Sequence, residues 1–201
     1  ILAVIGLCQF GTEMALSHVL HYQNLKKLEF DLYRNNKFIG KHIYSFSKKD
    51  NKMLVESEIY FKIKKLGVVL YRYKAQGKEE YIDGKFSKFS ATTNQNKKEK
   101  FCEIFKKEND FFIEGSSFKG KAPDSFIIGT WWNHEIINYD RQISAVSGRI
   151  IEQKVDFLGK EDLSINGKNY KALKFNFSST DKSLSKDKKL NVNIWYDEET
   201  L

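Results

Sequence analysis

One histidine stands in a setting that suggests chemistry. In FIIGTWWNHEIINYDRQISAVSG, residues 126–148, His134 follows two tryptophans and an asparagine, and Glu135 comes next. An imidazole beside a carboxylate is what a general base needs, and Ser144 would supply a hydroxyl nucleophile. A hydrolase that uses the His134 region is therefore one hypothesis.

The motifs that hold catalytic groups in place are missing from the sequence. A nucleophilic serine is normally held on a strained turn such as GxSxG, which does not occur, and neither do HExxH, CxxC, the Walker loop or GxGxxG. His18 and His21 have metal-pair spacing for a helix, but no carboxylate or cysteine cluster accompanies them. We therefore assign no catalytic residue, metal or other cofactor, and favour a protein without enzymatic activity.

Aromatic residues are the stronger indication of function. The 201 residues include 16 Phe, 10 Tyr and 3 Trp, which is many for a small domain. One interpretation is a filled core of aromatic side chains that pack across strands. The other is a curved sheet around an apolar cavity that would hold a hydrophobic ligand. The residues that we expect to line such a cavity are Trp131, Trp132, Asn133, His134, Tyr139, Trp195, Phe61 and Phe175.

The elements that must position these residues are strands. LEFDLYR (28–34) and MLVESEIYFKI (53–63) alternate apolar and polar residues with the period of two of half-buried strands. Asn35-Asn36 and Asp83-Gly84 are tight-turn pairs. The pattern predicts an all-β fold with minor α content, an antiparallel meander that forms a curved sheet or a partly open β-barrel.

Two segments depart from the alternation. LGVVLYRY (66–73) is apolar on both faces, which predicts a central strand of the sheet. Residues 123–138 begin with the helix-start residues Pro123 and Asp124, but a Gly-Thr pair interrupts the apolar side. We predict one short helix or irregular crossover near 123–138, lying across the sheet as a lid. One of its tryptophans should face inward, and Asn133 should bond to the crossover backbone.

The N-terminal segment predicts export. ILAVIGLCQF has the length of the apolar region of a signal peptide, and small residues suit cleavage after Ser17. We expect a leader at 1–17 that is truncated at its start, then a single β domain at 18–201 whose last strand is cut off. The mature chain should contain no transmembrane span. Without the leader Cys102 has no internal disulfide partner, and its apolar strand favours a buried thiol.

The net charge of +8 indicates a lysine-rich surface. Nucleic-acid binding needs basic residues gathered on one face, usually with arginine, and the four arginines are well separated. We therefore expect no nucleic-acid partner. The charge leaves attraction to an anionic membrane surface open.

Several short motifs resemble one family. IGTWWN, SGRI, VDFLGKEDLSINGKNYKALKFNF and NIWYDEETL, in this order, resemble exported proteobacterial proteins of domain of unknown function 6134 (DUF6134) and are similar to the related family DUF3108. The matching positions are 131–133, Gly148, 167–168 and 195–197. One departure is the closing turn at 198–200, which lacks the glycine-containing pair of the family.

The resemblance extends over nearly all of residues 28–201. It implies an antiparallel, partly open barrel, comparable to the sheets of periplasmic lipoprotein carriers, and it implies no activity. With the leader, it favours a protein of the periplasm of a Gram-negative bacterium. We expect it to bind a hydrophobic small molecule or a cell-envelope component. The alternative is a structural or protein-interaction module with a filled core and no ligand.

Overall fold

The computed structural model describes residue 22 and residues 24–199, so the predicted leader at 1–17 lies outside the described residues. Within them, no helix has the length and apolar character needed to cross a bilayer. A 3-10 helix lies at His134–Asn138. The strands are β1 Lys27–Arg34, β2 Lys37–Lys49, β3 Lys52–Lys65, β4 Val68–Ile82, β5 Lys85–Gln95, β6 Lys98–Lys107, β7 Asp110–Gly115, β8 Lys119–Lys121, β9 Ile127–Ile128, β10 Arg141–Ile143, β11 Ile150–Ile165, β12 Lys168–Ser179 and β13 Asn191–Asp197.

The first eight strands form one large sheet in which each strand pairs with the next in chain order. Their hairpins turn on residues with positive φ, such as Asn35 (50°) with Asn36 (59°) and Asp83 (50°) with Gly84 (74°). Two consecutive residues of this conformation match the twist of the flanking strands, and Asn, Asp and Gly tolerate it best. The turn pairs therefore determine the meander, as the sequence predicts.

A smaller sheet follows, with the order β13-β12-β11-β10-β9. Its pairs are antiparallel except β9 with β10, which are parallel. The large sheet has edges at β1 and β8 and is not closed into a barrel. The predicted all-β antiparallel fold with a short helix or crossover near 123–138 is thus confirmed, the helix being the 3-10 turn at its end.

One face of the large sheet, called the inner face here, carries the buried side chains. In the first of three hydrophobic clusters, residues of β5 to β7 pack against Ile128 of β9 and Ile143 of β10. Each fully buried aliphatic side chain stabilises the fold by about 1.5–3 kcal/mol. Cys102 lies in this cluster, fully buried, and burial raises the pKa of its thiol to about 12. The predicted buried thiol is confirmed.

The segment at 66–73 lies centrally in the large sheet, as predicted, but its first part is exposed. Its strand, β4, is the fourth of eight, but Val68 and Leu70 are 62% and 53% exposed. The reason is strand length: the pairing of β4 with β5 reaches only to Tyr73, so the residues before it have no neighbour on that side. The predicted central position is confirmed, and the exposure follows from the shorter neighbouring strand.

Candidate functional site

A buried carboxyl group fixes the crossover to the large sheet. Glu79 is 2% exposed, and no ion pair within the described residues involves it. Its Oε1 accepts a hydrogen bond from Trp132 Nε1 and its Oε2 one from the Tyr81 hydroxyl, both at 2.8 Å. Burial raises the pKa of Glu79, and these donors offset part of that rise. The carboxyl group therefore anchors the Trp132 indole within the core.

Local sequence explains how Glu79 comes to face inward. The alternation along β4 places Gly77, Glu79 and Tyr81 on the inner face, where all three are buried. At Gly77 a Cβ atom would lie 2.7 Å from Ser57 Oγ, so a larger residue would require this hydroxyl to shift. The small residue leaves room for the Ser57 hydroxyl beside the strand that carries Glu79.

The two adjacent tryptophans enter different hydrophobic clusters. Trp131 has a φ of +70°, and this left-handed backbone separates the directions of the two indoles. Trp132, 3% exposed, meets Phe46 and Tyr81 edge-on in the second cluster. The Trp131 ring packs edge-on against Phe177 in the third cluster, at 5.2 Å between centroids. The pair thus joins the two sheets.

His134 is held inside the protein. It is 4% exposed, and its Nδ1 is bonded to the hydroxyl of Tyr22, which also accepts the His134 backbone N–H at 3.2 Å. Its Nε2 lies 3.7 Å from Glu135 Oε1. Burial raises the pKa of the Tyr22 phenol to about 12. The geometry gives His134 a structural role.

Asn133 performs the backbone role predicted for it. Its side-chain oxygen accepts the N–H of Glu135 at 3.1 Å and caps the 3-10 helix. Gln153 of β11 completes the attachment by donating to the Tyr139 carbonyl at 2.9 Å. The lid is therefore fixed by hydrogen bonds at both ends.

A second aromatic group lies away from the crossover. The Phe61 ring of β3 stacks on Tyr73 at 4.9 Å, with planes 9° apart, and on Tyr71 at 5.9 Å. We call these three residues the aromatic strip. All are half-buried on the inner face, and none belongs to the three hydrophobic clusters of the described residues. The strip is therefore a partly exposed aromatic group that lies outside the three clusters.

Two open grooves occur elsewhere, on the outer face of the large sheet. Their volumes are about 710 and 490 Å³, and the larger is lined mainly by polar and charged side chains, including Glu56, Glu58 and Lys78. None of the eight residues predicted to line a cavity borders either groove.

Comparison with known proteins assigns the family. A family model described as a domain of unknown function (DUF6134) matches residues 30–201. The chain belongs to this family. Searches of curated proteins and of solved structures gave no match.

The DUF6134 fold brings only some of the predicted residues together. Trp131, Tyr139 and Phe175 pack into the third cluster, whereas Trp132 lies in the second. Phe61 belongs to the aromatic strip. Trp195 is 39% exposed, donates to Glu161 Oε2 at 2.7 Å and lies beneath the Lys174 ammonium. A ligand-lining role for the eight residues stays a prediction.

Sequence reasoning missed several functional candidates. Glu79, Tyr71 and Tyr73 follow one alternation along β4, and extending that pattern through the whole strand would have placed all three on one face. Tyr22 and its bond to His134, 112 residues away, had no local indication. Among the described residues no cluster of three or more His, Cys, Asp or Glu could hold a metal ion, while His18 and His21 lie outside them.

Proposed function

We propose that this DUF6134 protein is an exported, non-enzymatic domain of the periplasm that binds a hydrophobic ligand or an envelope component. The observation that carries the proposal is the aromatic strip, whose stacked rings are half-buried on the inner face. Partly exposed aromatic area outside the core is typical of binding surfaces. Aromatic faces suit acyl chains and rings alike.

Neighbouring residues extend the strip toward the core. His42, Ile59 and Ala75 are paired across β2, β3 and β4, and all are half-buried. From Tyr71 to Gly77 the strand rises about 20 Å at roughly 3.4 Å per residue. This length favours an extended molecule such as an acyl chain.

His42, the histidine beside the strip, is compatible with an apolar ligand. Burial lowers the pKa of His42 to about 4, so its imidazole is neutral near pH 7. A neutral surface avoids the cost of removing a charge from water when a ligand covers it.

Export, a proteobacterial source and a relation to DUF3108 belong to the same proposal. They are supported by the apolar run ILAVIGLCQF and by the order of the shared motifs. Cell fractionation of the source organism would test the location, with recovery in the cytoplasmic fraction contradicting it.

Ligand binding is tested first on the native protein. Protein purified from its own envelope should carry a small hydrophobic molecule, seen by native mass spectrometry as an added mass that is lost after delipidation. Delipidated protein should then bind a dansylated undecanoic acid probe, and Phe61→Ala should weaken this binding about ten-fold through lost ring area.

Phe157→Ala is the matched control, since Phe157 is an exposed phenylalanine of the smaller sheet. It should bind the probe like the unchanged protein. If Phe61→Ala kept its unfolding temperature and bound the probe as tightly as the unchanged protein, the aromatic strip would not be the binding site.

The alternative is a structural or interaction module with a filled core. It is favoured by Trp132, whose indole is enclosed by aromatic rings and whose N–H is satisfied by Glu79. Absence of both a co-purified molecule and probe binding would support this alternative.

A further inference from the structure

Part of the β3–β4 hairpin extends beyond its neighbours in the large sheet. Pairing of β2 with β3 ends at Gly40 and Phe61, and pairing of β4 with β5 ends at Tyr73 and Gln95. The hairpin itself stays paired to Lys65 and Val68. Residues 62–72, called the basic ribbon here, thus project roughly 15 Å as two strands.

The tip of the basic ribbon is apolar and open to solvent. Leu66 is 95% exposed, and Val68 and Leu70 are more than half exposed. Exposed single apolar residues are ordinary, but these three are gathered at one projecting end.

The backbone at the tip makes the presence of leucine unusual. Leu66 has a φ of +49° and precedes Gly67 at +81°. The corresponding positive-φ positions at the other hairpin turns hold polar residues: Asn35, Asp50, Asp83, Asn96, Glu108 and Asn166. Leucine is disfavoured in this conformation and gains no burial in the described structure. Both costs would be offset if the side chain entered an apolar phase.

The charge of the ribbon is uniform. Lys62, Lys64, Lys65 and Arg72 are its charged residues, and the sequence has no acidic residue between Glu58 and Glu79. None of the ion pairs within the described residues involves these four side chains. Elsewhere lysines pair across strands, as Lys78 does with Glu56 at 2.7 Å.

The β1–β2 turn lies at the same end of the sheet, because alternate turns of a meander share an end. At this turn Tyr33 and Phe38 are exposed, and their ring centroids lie 5.9 Å apart. Arg34 and Lys37 lie next to them in the sequence, on the side of the turn. Apolar and basic residues therefore occur together at two neighbouring turns.

We propose that the basic ribbon docks on an anionic phospholipid bilayer, with Leu66, Val68 and Leu70 inserted among the acyl chains and the lysines against the headgroups. Lys and Arg near such a surface add to binding, and apolar insertion supplies the second contribution that stable attachment needs. Charge complementarity favours this partner over an apolar protein groove. The proposal does not depend on ligand binding at the aromatic strip.

Vesicle flotation of the full chain tests the docking. The protein should float with vesicles of phosphatidylglycerol and phosphatidylcholine, and about ten-fold less with phosphatidylcholine alone. Leu66→Asn should reduce binding to the anionic vesicles about ten-fold. Asparagine suits the positive φ, so this variant should fold at least as stably. Ile165→Asn, at the β11–β12 turn, is the control and should bind normally.

A second readout locates the insertion. Leu66→Trp should show quenching by brominated lipid in anionic vesicles, whereas Ile165→Trp should show no added quenching. Vesicle binding that is equal in Leu66→Asn and the unchanged protein, or no binding at all, would overturn the proposal. Leu66→Asn should still bind the dansylated probe, and Phe61→Ala should still bind the anionic vesicles. These two results distinguish the basic ribbon from the aromatic strip.

Discussion

At the scale of single residues, burial favours the neutral form of two inner-face groups, Glu79 and His42. Glu79 releases its proton less readily, and His42 accepts one less readily, than in an unfolded chain. The dependence of stability on pH therefore has opposite signs at the two positions.

Glu79→Gln should remove the dependence of stability on pH that comes from Glu79. The native state holds the Glu79 proton more tightly than the unfolded state, so unfolding free energy falls as the pH rises from about 4.5 through the raised pKa. The slope there is up to about 1.4 kcal/mol per pH unit. The variant should gain stability relative to the unchanged protein as the pH rises, measured by urea unfolding at several pH values. A constant difference would contradict a buried carboxyl group.

His42→Phe should remove the dependence of stability on pH that comes from His42. Neutral His42 contributes stability above pH 6.5 that is lost as the pH falls toward about 4, because only the unfolded chain takes up the proton. The loss amounts to about 3 kcal/mol at most. The variant should show a smaller loss of stability between pH 6.5 and 4. Its ring can pack against Tyr44, whose centroid lies 4.3 Å from that of His42.

At the scale of elements, the turns determine where each strand begins and ends. Polar residues with positive φ occupy most hairpin tips, which is why local sequence is enough to predict them. Leu66 is the exception, and its hairpin is also the one that extends beyond its neighbouring strands.

Gly148→Ala tests the join between the sheets. Gly148 has a φ of +75°, and a Cβ atom there would lie 2.9 Å from Ile113 Cγ2. Backbone strain and overpacking together should lower unfolding free energy by about 2–4 kcal/mol. Gly167→Ala is the control, because φ is +77° with open space around it. It should cost only about 1–2 kcal/mol. Equal losses in urea unfolding would show that packing at Gly148 is unimportant.

At the scale of the whole molecule, short-range sequence patterns were enough to predict most of the fold. Alternation and turn pairs gave the antiparallel meander, and the Gly-Thr interruption correctly limited the helix near 123–138. The burial of 66–73 could not be predicted, because it depends on how far β2 and β5 extend beside the hairpin.

The candidate site was harder to predict because its contacts are distant in sequence. One of the two adjacent tryptophans was expected to face inward, and Trp132 does, but nothing near it indicated Glu79 as its partner. Phe61 was chosen as an apolar strand residue, while Tyr71 and Tyr73, which complete its stack, lie on the next strand. Which side chains meet across neighbouring strands depends on the register of those strands.

The links between crossover and sheet also order the steps of folding. Each hairpin of the large sheet closes a very short loop, whereas Trp132–Glu79, Tyr44–Thr130 and Tyr22–His134 join residues 53, 86 and 112 positions apart. Loop-closure entropy makes local hairpins the faster events. The meander should therefore assemble while Glu79 is still hydrated, and docking of the tryptophan segment would be the late step that removes its water.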